Sequence, residues 1–103
     1  MTIRNKADLF EVLRKHEARL KFYGVKRYGV FGSFVHGEQT DRSDVDILVE
    51  FEPGQKSFDN FMQLAFFLED ALGRRVELVT PESLSPYIGP HILREVEYAS
   101  ASE

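Results

Sequence analysis

The sequence contains no cysteine, so it can form neither a disulfide nor a thiolate zinc site, and redox chemistry says nothing about its compartment. It also lacks any apolar run long enough to cross a bilayer. Residues 1–10 carry charged side chains and no apolar segment of the kind a signal peptide needs. We therefore expect a cytoplasmic protein with no membrane association.

A net positive charge is missing as well, since 13 Lys and Arg face 17 Asp and Glu, for a formal charge of -4. Nucleic-acid backbones are bound by clustered cations, so direct nucleic-acid binding is not expected, and a structural or DNA-binding role has little support. A nucleotide ligand remains compatible with this charge, because a divalent cation can bridge carboxylates to phosphates.

What the sequence does contain is enough apolar residue for a folded core: 43% of it is hydrophobic, including nine Phe. Its 103 residues fit one core and not two, and no internal repeat or linker divides them. We expect a single domain over residues 1–103.

Periodicity and capping residues predict alternating helices and strands. The predicted helices are one between the caps Asn5 and Gly24, one between Ser57 and Gly73, and one over His91–Tyr98. The predicted strands are Val25–Phe31, Asp44–Phe51 and Arg75–Val79. The connection Gly37–Ser43 is too short for a helical crossover, so the first two strands should be antiparallel neighbours. The expected fold class is α/β (α+β), a small mixed β-sheet with helices packed on it.

Two aspartates two residues apart mark the second predicted strand. Alternation along a strand places Asp44 and Asp46 on one face, where their charges repel unless something compensates. A hard divalent cation such as Mg²⁺ or Mn²⁺ suits such a pair, because it takes oxygen ligands and shares them with phosphates. Taken alone, an Asp-x-Asp pair is more often solvated charge.

A Gly-Ser pair follows the first predicted strand directly. Gly32 would let the backbone approach a phosphate, and the Ser33 hydroxyl and nearby N–H groups could hold phosphate oxygens, although such a pair alone is usually a turn. Gly-Ser followed after ten residues by Asp-x-Asp should arise by chance in roughly one chain in a thousand of this length. The spacing predicts that Ser33 lies near the aspartates, as in-line displacement at an α-phosphorus requires.

The segment Gly29–Val49 resembles the signature of the polymerase-beta-type nucleotidyltransferase superfamily. More narrowly, the chain is similar to minimal nucleotidyltransferase (MNT) domain proteins, the antitoxin half of MNT/HEPN toxin–antitoxin pairs. The similar segments are Phe31-Gly32-Ser33, Ser43–Val49, Phe61–Leu72, Arg75–Thr80 and Ile92–Glu95. The resemblance implies the nucleotidyltransferase fold.

The resemblance also implies a role for each motif residue. Gly32 and Ser33 would hold the triphosphate, and Asp44 and Asp46 would bind the metals. Glu77 falls at the third carboxylate, which would join one metal and help deprotonate the attacking hydroxyl; without the resemblance, Glu77 is one more exposed strand charge. The implied reaction is Mg²⁺- or Mn²⁺-dependent transfer of AMP from ATP, or of a nucleotide from another NTP, to a tyrosine of a cognate HEPN protein.

Two departures from the family pattern keep an alternative open. The third carboxylate is usually Asp, and Glu77 has a longer arm; family members also often carry Arg where this chain has His36, a weaker phosphate ligand near neutral pH. The alternative is a catalytically weak MNT domain that neutralises its HEPN partner by binding alone. Among other candidates, the three histidines show no zinc spacing, and Arg74-Arg75 is expected to be solvated or to contact an anionic partner.

Overall fold

The structure is a computed structural model that describes residues 3–100. Within that range the helices are α1 (Lys6–Lys15), α2 (Glu17–Phe22), α3 (Ser33–His36), α4 (Phe58–Leu72) and α5 (Gly89–Glu95). The strands are β1 (Val25–Phe31), β2 (Val45–Phe51), β3 (Val76–Val79) and β4 (Glu97–Ser100), and a 3₁₀ turn covers Pro81–Ser83. None of the helices within residues 3–100 has the length and apolar character needed to cross a membrane.

The four strands form one mixed sheet in the order β3-β2-β1-β4. β1 pairs antiparallel with β2 and with β4, whereas β2 and β3 run parallel. The small mixed sheet and the antiparallel pairing of the first two strands are therefore confirmed. The parallel pairing of β2 with β3 follows from the α4 crossover between them.

One face of the sheet carries the main hydrophobic core. Every second residue of β2, namely Val45, Ile47 and Val49, is buried there. Leu9 and Leu13 of α1, Leu20 of α2 and Leu64, Leu68 and Leu72 of α4 complete the same cluster. The four-residue spacings within α1 and α4 place these leucines on one side of each helix.

The predicted first helix is broken at His16. This residue leaves the helical region, with φ -107° and ψ 16°, so α1 ends at Lys15 and α2 begins at Glu17. The His16 ring packs edge-on against Phe67, with 5.3 Å between the ring centroids. The break redirects the chain while keeping Leu20 in the core.

The predicted last helix is present, but its predicted span, His91–Tyr98, is wrong beyond Glu95. The helix is Gly89–Glu95, Val96 is extended with ψ 135°, and β4 follows. Four residues are too few to show strand periodicity, and their conformation is determined by pairing with β1, where Tyr98 lies opposite Gly29. A Cβ on Gly29 would lie 2.6 Å from Val96 Cγ2, so the absence of a side chain at Gly29 allows Val96 and β4 to pack against β1.

The face of the sheet opposite the core carries the polar residues of the motif. Because directly paired residues share a face, one row across the sheet consists of Glu77, Asp46 and Phe31. The next row along the strands consists of Val79, Leu48, Gly29 and Tyr98. Carboxylates thus occupy one end of this face, beside the residues that follow β1.

Candidate active site at one end of the sheet

Two of the predicted site residues are brought together by strand register. Asp46 of β2 pairs with Glu77 of β3 in the parallel register, so both side chains lie on the same face. Asp46 is half-buried and hydrogen-bonds to Glu77, whose side chain is more exposed. The pairing therefore places two carboxyl groups side by side, where their negative charges repel.

Asp44 lies one residue before β2 rather than on it. β2 begins at Val45, one residue later than predicted, and Asp44 is exposed. It is still close enough for its charge to act on Asp46. Asp44 and Asp46 therefore have different environments: the Asp46 carboxylate lies on the sheet, and Asp44 lies on the loop that leads to β2.

Gly32 connects β1 to α3 in a conformation that suits glycine. Its φ is 79°, and a Cβ built on it would lie 2.0 Å from Asp46 Oδ2. The close approach expected for a phosphate is thus made here by the Asp46 carboxylate. Gly32 therefore adjoins Asp46, and Ser33, the next residue, is half-buried at the start of α3.

A residue without a predicted role, Glu95, also belongs to this site. The Gly32 N–H donates to Glu95 Oε1 at 3.3 Å, and the other carboxylate oxygen pairs with His36 Nε2. Glu95 is the last residue of α5, so this contact ties the end of α5 to both ends of α3. In the sequence, Glu95 is marked only by its place in the segment Ile92–Glu95 that is similar to the MNT family. Its contact with Gly32 could not be predicted, because 63 residues separate the two.

The crowding of carboxylates changes the protonation of Asp46. Burial, the hydrogen bond to Glu77 and the charges of Glu77, Asp44 and Glu95 together raise the pKa of Asp46 to about 7. Every one of these contributions favours the protonated form. Such a shift in a polar site is typical of carboxylates that work on a charged ligand.

The donor set fits a hard divalent cation. Carboxylate oxygens are the ligands that Mg²⁺ and Mn²⁺ prefer, and a cation would relieve the repulsion that raises the pKa of Asp46. Within residues 3–100, however, no three acidic or histidine side chains already stand in a metal-binding arrangement. Asp46 and Glu77 can supply two carboxylates, and a metal held by them would take its other ligands from phosphate oxygens and water.

Comparison with known proteins identifies relatives of this chain. The model of the nucleotidyltransferase domain matches residues 13–99. The chain is 45% identical over 92 residues to the protein adenylyltransferase MntA of Thermococcus cleftensis, which covers 88% of this chain and 92% of that protein. It is 42% identical over 95 residues to a candidate protein adenylyltransferase of Methanocaldococcus jannaschii, covering 89% and 95% of the two chains.

Solved structures show the same fold. A candidate minimal nucleotidyltransferase superposes with a TM-score of 0.69 at 35% identity, covering 84% of this chain and 92% of that one. A toxin–antitoxin structure with AMP-PNP superposes with a TM-score of 0.65 at 24% identity, covering 92% and 72% of the two chains. The fold implied by the motif is therefore confirmed.

Proposed function

Because this chain belongs to the nucleotidyltransferase domain family, we propose that it is a protein adenylyltransferase that moves AMP from ATP to a partner protein. The partner we propose is a cognate HEPN toxin, the acceptor is a tyrosine hydroxyl, and the chain acts as the antitoxin. The names of its relatives support AMP transfer to protein. The resemblance of Phe31-Gly32-Ser33 and Ser43–Val49 to MNT proteins supports the toxin as acceptor.

The observation that carries this proposal is the meeting of Asp46, Glu77 and Gly32 at one end of the sheet. Asp46 and Glu77 are in register on adjacent strands, and Gly32 is so close to Asp46 that no side chain fits between them. A phosphate held by backbone N–H groups at Gly32 and Ser33 would therefore lie directly beside the carboxylates. That proximity is what transfer at an α-phosphorus needs.

In the proposed reaction Asp44, Asp46 and Glu77 would hold Mg²⁺ or Mn²⁺. When bound, the metal supplies charge stabilisation to the attacking and leaving oxygens. Glu77, the more exposed member of the hydrogen-bonded pair, accepts the proton of the attacking hydroxyl. The hydroxyl oxygen forms a bond to the α-phosphorus. The bond between the α-phosphorus and the oxygen that bridges it to the β-phosphate breaks, and pyrophosphate leaves. For phosphate to reach the Gly32 N–H, the Glu95 carboxylate must release it.

That last requirement favours a second candidate function, a catalytically weak domain that neutralises its partner by contact. The Gly32 N–H is engaged by a carboxylate of the chain itself, and His36, where the family often has Arg, is paired with the same carboxylate. If Glu95 kept this position, its negative charge would repel a triphosphate from the phosphate cradle, meaning the backbone N–H groups of Gly32 and Ser33. Binding without transfer would then be the remaining activity.

A labelling experiment separates the two functions. The protein is incubated with Mg²⁺, the cognate HEPN protein and ATP labelled either at the α- or at the γ-phosphate. AMP transfer labels the partner from α-labelled ATP only. If neither ATP labels the partner and the toxin is still neutralised, the protein is a binding domain and the proposed enzymatic function is wrong. Labelling of the partner from γ-labelled ATP would indicate phosphoryl transfer.

A further inference from the structure

We infer that Arg74 is a positioning residue that holds the Asp44 loop in place for the proposed reaction. The predictions for Arg74-Arg75 were solvation or contact with an anionic partner. Arg74 instead is half-buried and directs its guanidinium inward, whereas Arg75 is exposed. The inference rests on the proposed function, because it concerns how Asp44 is placed as a metal ligand.

The guanidinium of Arg74 binds three backbone carbonyls that are remote in sequence. Its Nη1 donates to Thr40 O and to Ser43 O, both at 2.9 Å, and its Nη2 donates to Ile3 O at 2.8 Å. Charged donors make hydrogen bonds stronger than those of neutral groups. A planar fork can reach several acceptors in fixed directions, which a lysine ammonium cannot reproduce.

Hydrogen bonds hold the backbone on both sides of Asp44, and Arg74 supplies the one on the N-terminal side. Ser43, the residue before it, is bound through its carbonyl by the Arg74 side chain. Val45, the residue after it, donates its N–H to the carbonyl of Arg75 at 2.9 Å. Asp44 itself is exposed, so the position of its carboxylate depends on the backbone that carries it.

Arg74 also contacts the helix that bears Ser33. Its guanidinium carbon lies 5.1 Å from the centroid of the Phe34 ring, within the range of a cation–π interaction. Phe34 is buried and directly follows Ser33 at the start of α3. One side chain therefore contacts both the loop that carries Asp44 and the helix that would hold phosphate.

The test compares Arg74→Lys with Arg75→Lys, since both variants keep the charge and only the first loses the three-carbonyl fork. Three quantities are measured: Mn²⁺ affinity in the presence of a non-hydrolysable ATP analogue, transfer to the partner, and amide exchange of Ser43 and Asp44. Arg74→Lys is expected to weaken Mn²⁺ binding and lower kcat by about 10- to 100-fold, as for a misplacement on the order of 1 Å. Its turn amides should exchange faster, and Arg75→Lys should match wild type in all three.

A double-mutant cycle with Asp44→Asn separates positioning from general damage to the fold. If Arg74 acts through Asp44, Arg74→Lys should lower Mn²⁺ affinity no further once Asp44 is Asn, while circular dichroism shows both proteins folded at the assay temperature. Independent losses that multiply would overturn the inference, as would wild-type Mn²⁺ affinity in Arg74→Lys. Wild-type protein that binds Mn²⁺ but transfers nothing would refute the proposed function and leave the cycle readable. Wild-type protein that binds no Mn²⁺ would overturn both.

Discussion

Replacing Asp46 by asparagine should stabilise the fold in the absence of metal and nucleotide, although it removes a proposed metal ligand. Asp46 is half-buried among Glu77, Asp44 and Glu95, and its ionised form is disfavoured by burial and by each of those charges. Asparagine has nearly the same size and carries no charge, and its amide can donate a hydrogen bond to Glu77. The substitution therefore relieves repulsion without leaving a cavity.

The size of the effect follows from the pKa. A rise from 3.8 to about 7 corresponds to about 4 kcal/mol between the charged and protonated forms. Because Asp46 is only partly buried, solvent screening reduces the expected gain to about 1–2 kcal/mol. For a domain of this size, that gain corresponds to a rise in Tm of roughly 5–10 °C.

The dependence on pH has a definite sign. The folded pKa of Asp46 lies above its unfolded value, so the stability that its protonation supplies is fully present below the unfolded pKa of about 4 and is lost as the pH rises through about 7. Asparagine titrates in neither state. The advantage of Asp46→Asn over wild type should therefore grow between pH 4 and pH 7 and level off above it.

The assay is urea unfolding of both proteins in EDTA at pH 5 and pH 8. Asp70→Asn is the matched control, because Asp70 is exposed on α4 and is not among the charges that act on Asp46, so its replacement should change the free energy of unfolding by less than about 0.5 kcal/mol. A destabilised Asp46→Asn protein, or a gain equal at the two pH values, would refute the argument that carboxylate crowding opposes folding.

The remaining predictions concern nucleotide binding and transfer. Glu95→Gln should lower the Kd for Mg-ATP about fivefold, because it removes a negative charge from the Gly32 N–H; a weaker complex would mean that Glu95 supports the cradle. Gly32→Ala should reduce transfer more than Ser33→Ala, since the added Cβ would lie 2.0 Å from Asp46 Oδ2, and equal rates would contradict this. Glu77→Gln should lower the transfer rate by about 10²–10⁴-fold, whereas Glu77→Asp should retain it; three equal rates would make Glu77 a bystander.

The parts of the fold that depend on local pattern could be predicted from the sequence. The alternation expected of a strand places Val45, Ile47 and Val49 on one face of β2, which is the core face, and the short Gly37–Ser43 connection predicted the antiparallel partner of β1. The motif also predicted that Ser33 adjoins the aspartates. The structure places Gly32, the residue before Ser33, against Asp46 and pairs Asp46 with Glu77, while the assignment of metal, phosphate and proton to the predicted site residues stays a prediction.

The parts that depend on long-range packing could not be predicted. β4 is a strand because β1 offers an open edge beside Gly29, and a four-residue stretch after a helix does not show this. Glu95 meets Gly32 across 63 residues. Arg74 looked like a surface charge because its acceptors are backbone carbonyls, which leave no trace in the side-chain pattern.

The central claim is that the sheet end bearing Asp44, Asp46 and Glu77 binds a metal–nucleotide complex, and calorimetric titration with Mg-ATP tests it most directly. The double variant Asp44→Asn/Asp46→Asn should stay folded, as shown by circular dichroism, and should lose the Mg²⁺-dependent binding of ATP that wild type displays. Asp59→Asn, a change of the same kind on the exposed first turn of α4, should leave that binding unchanged. If the double variant binds Mg-ATP with wild-type affinity, the nucleotide site lies elsewhere and the account is wrong.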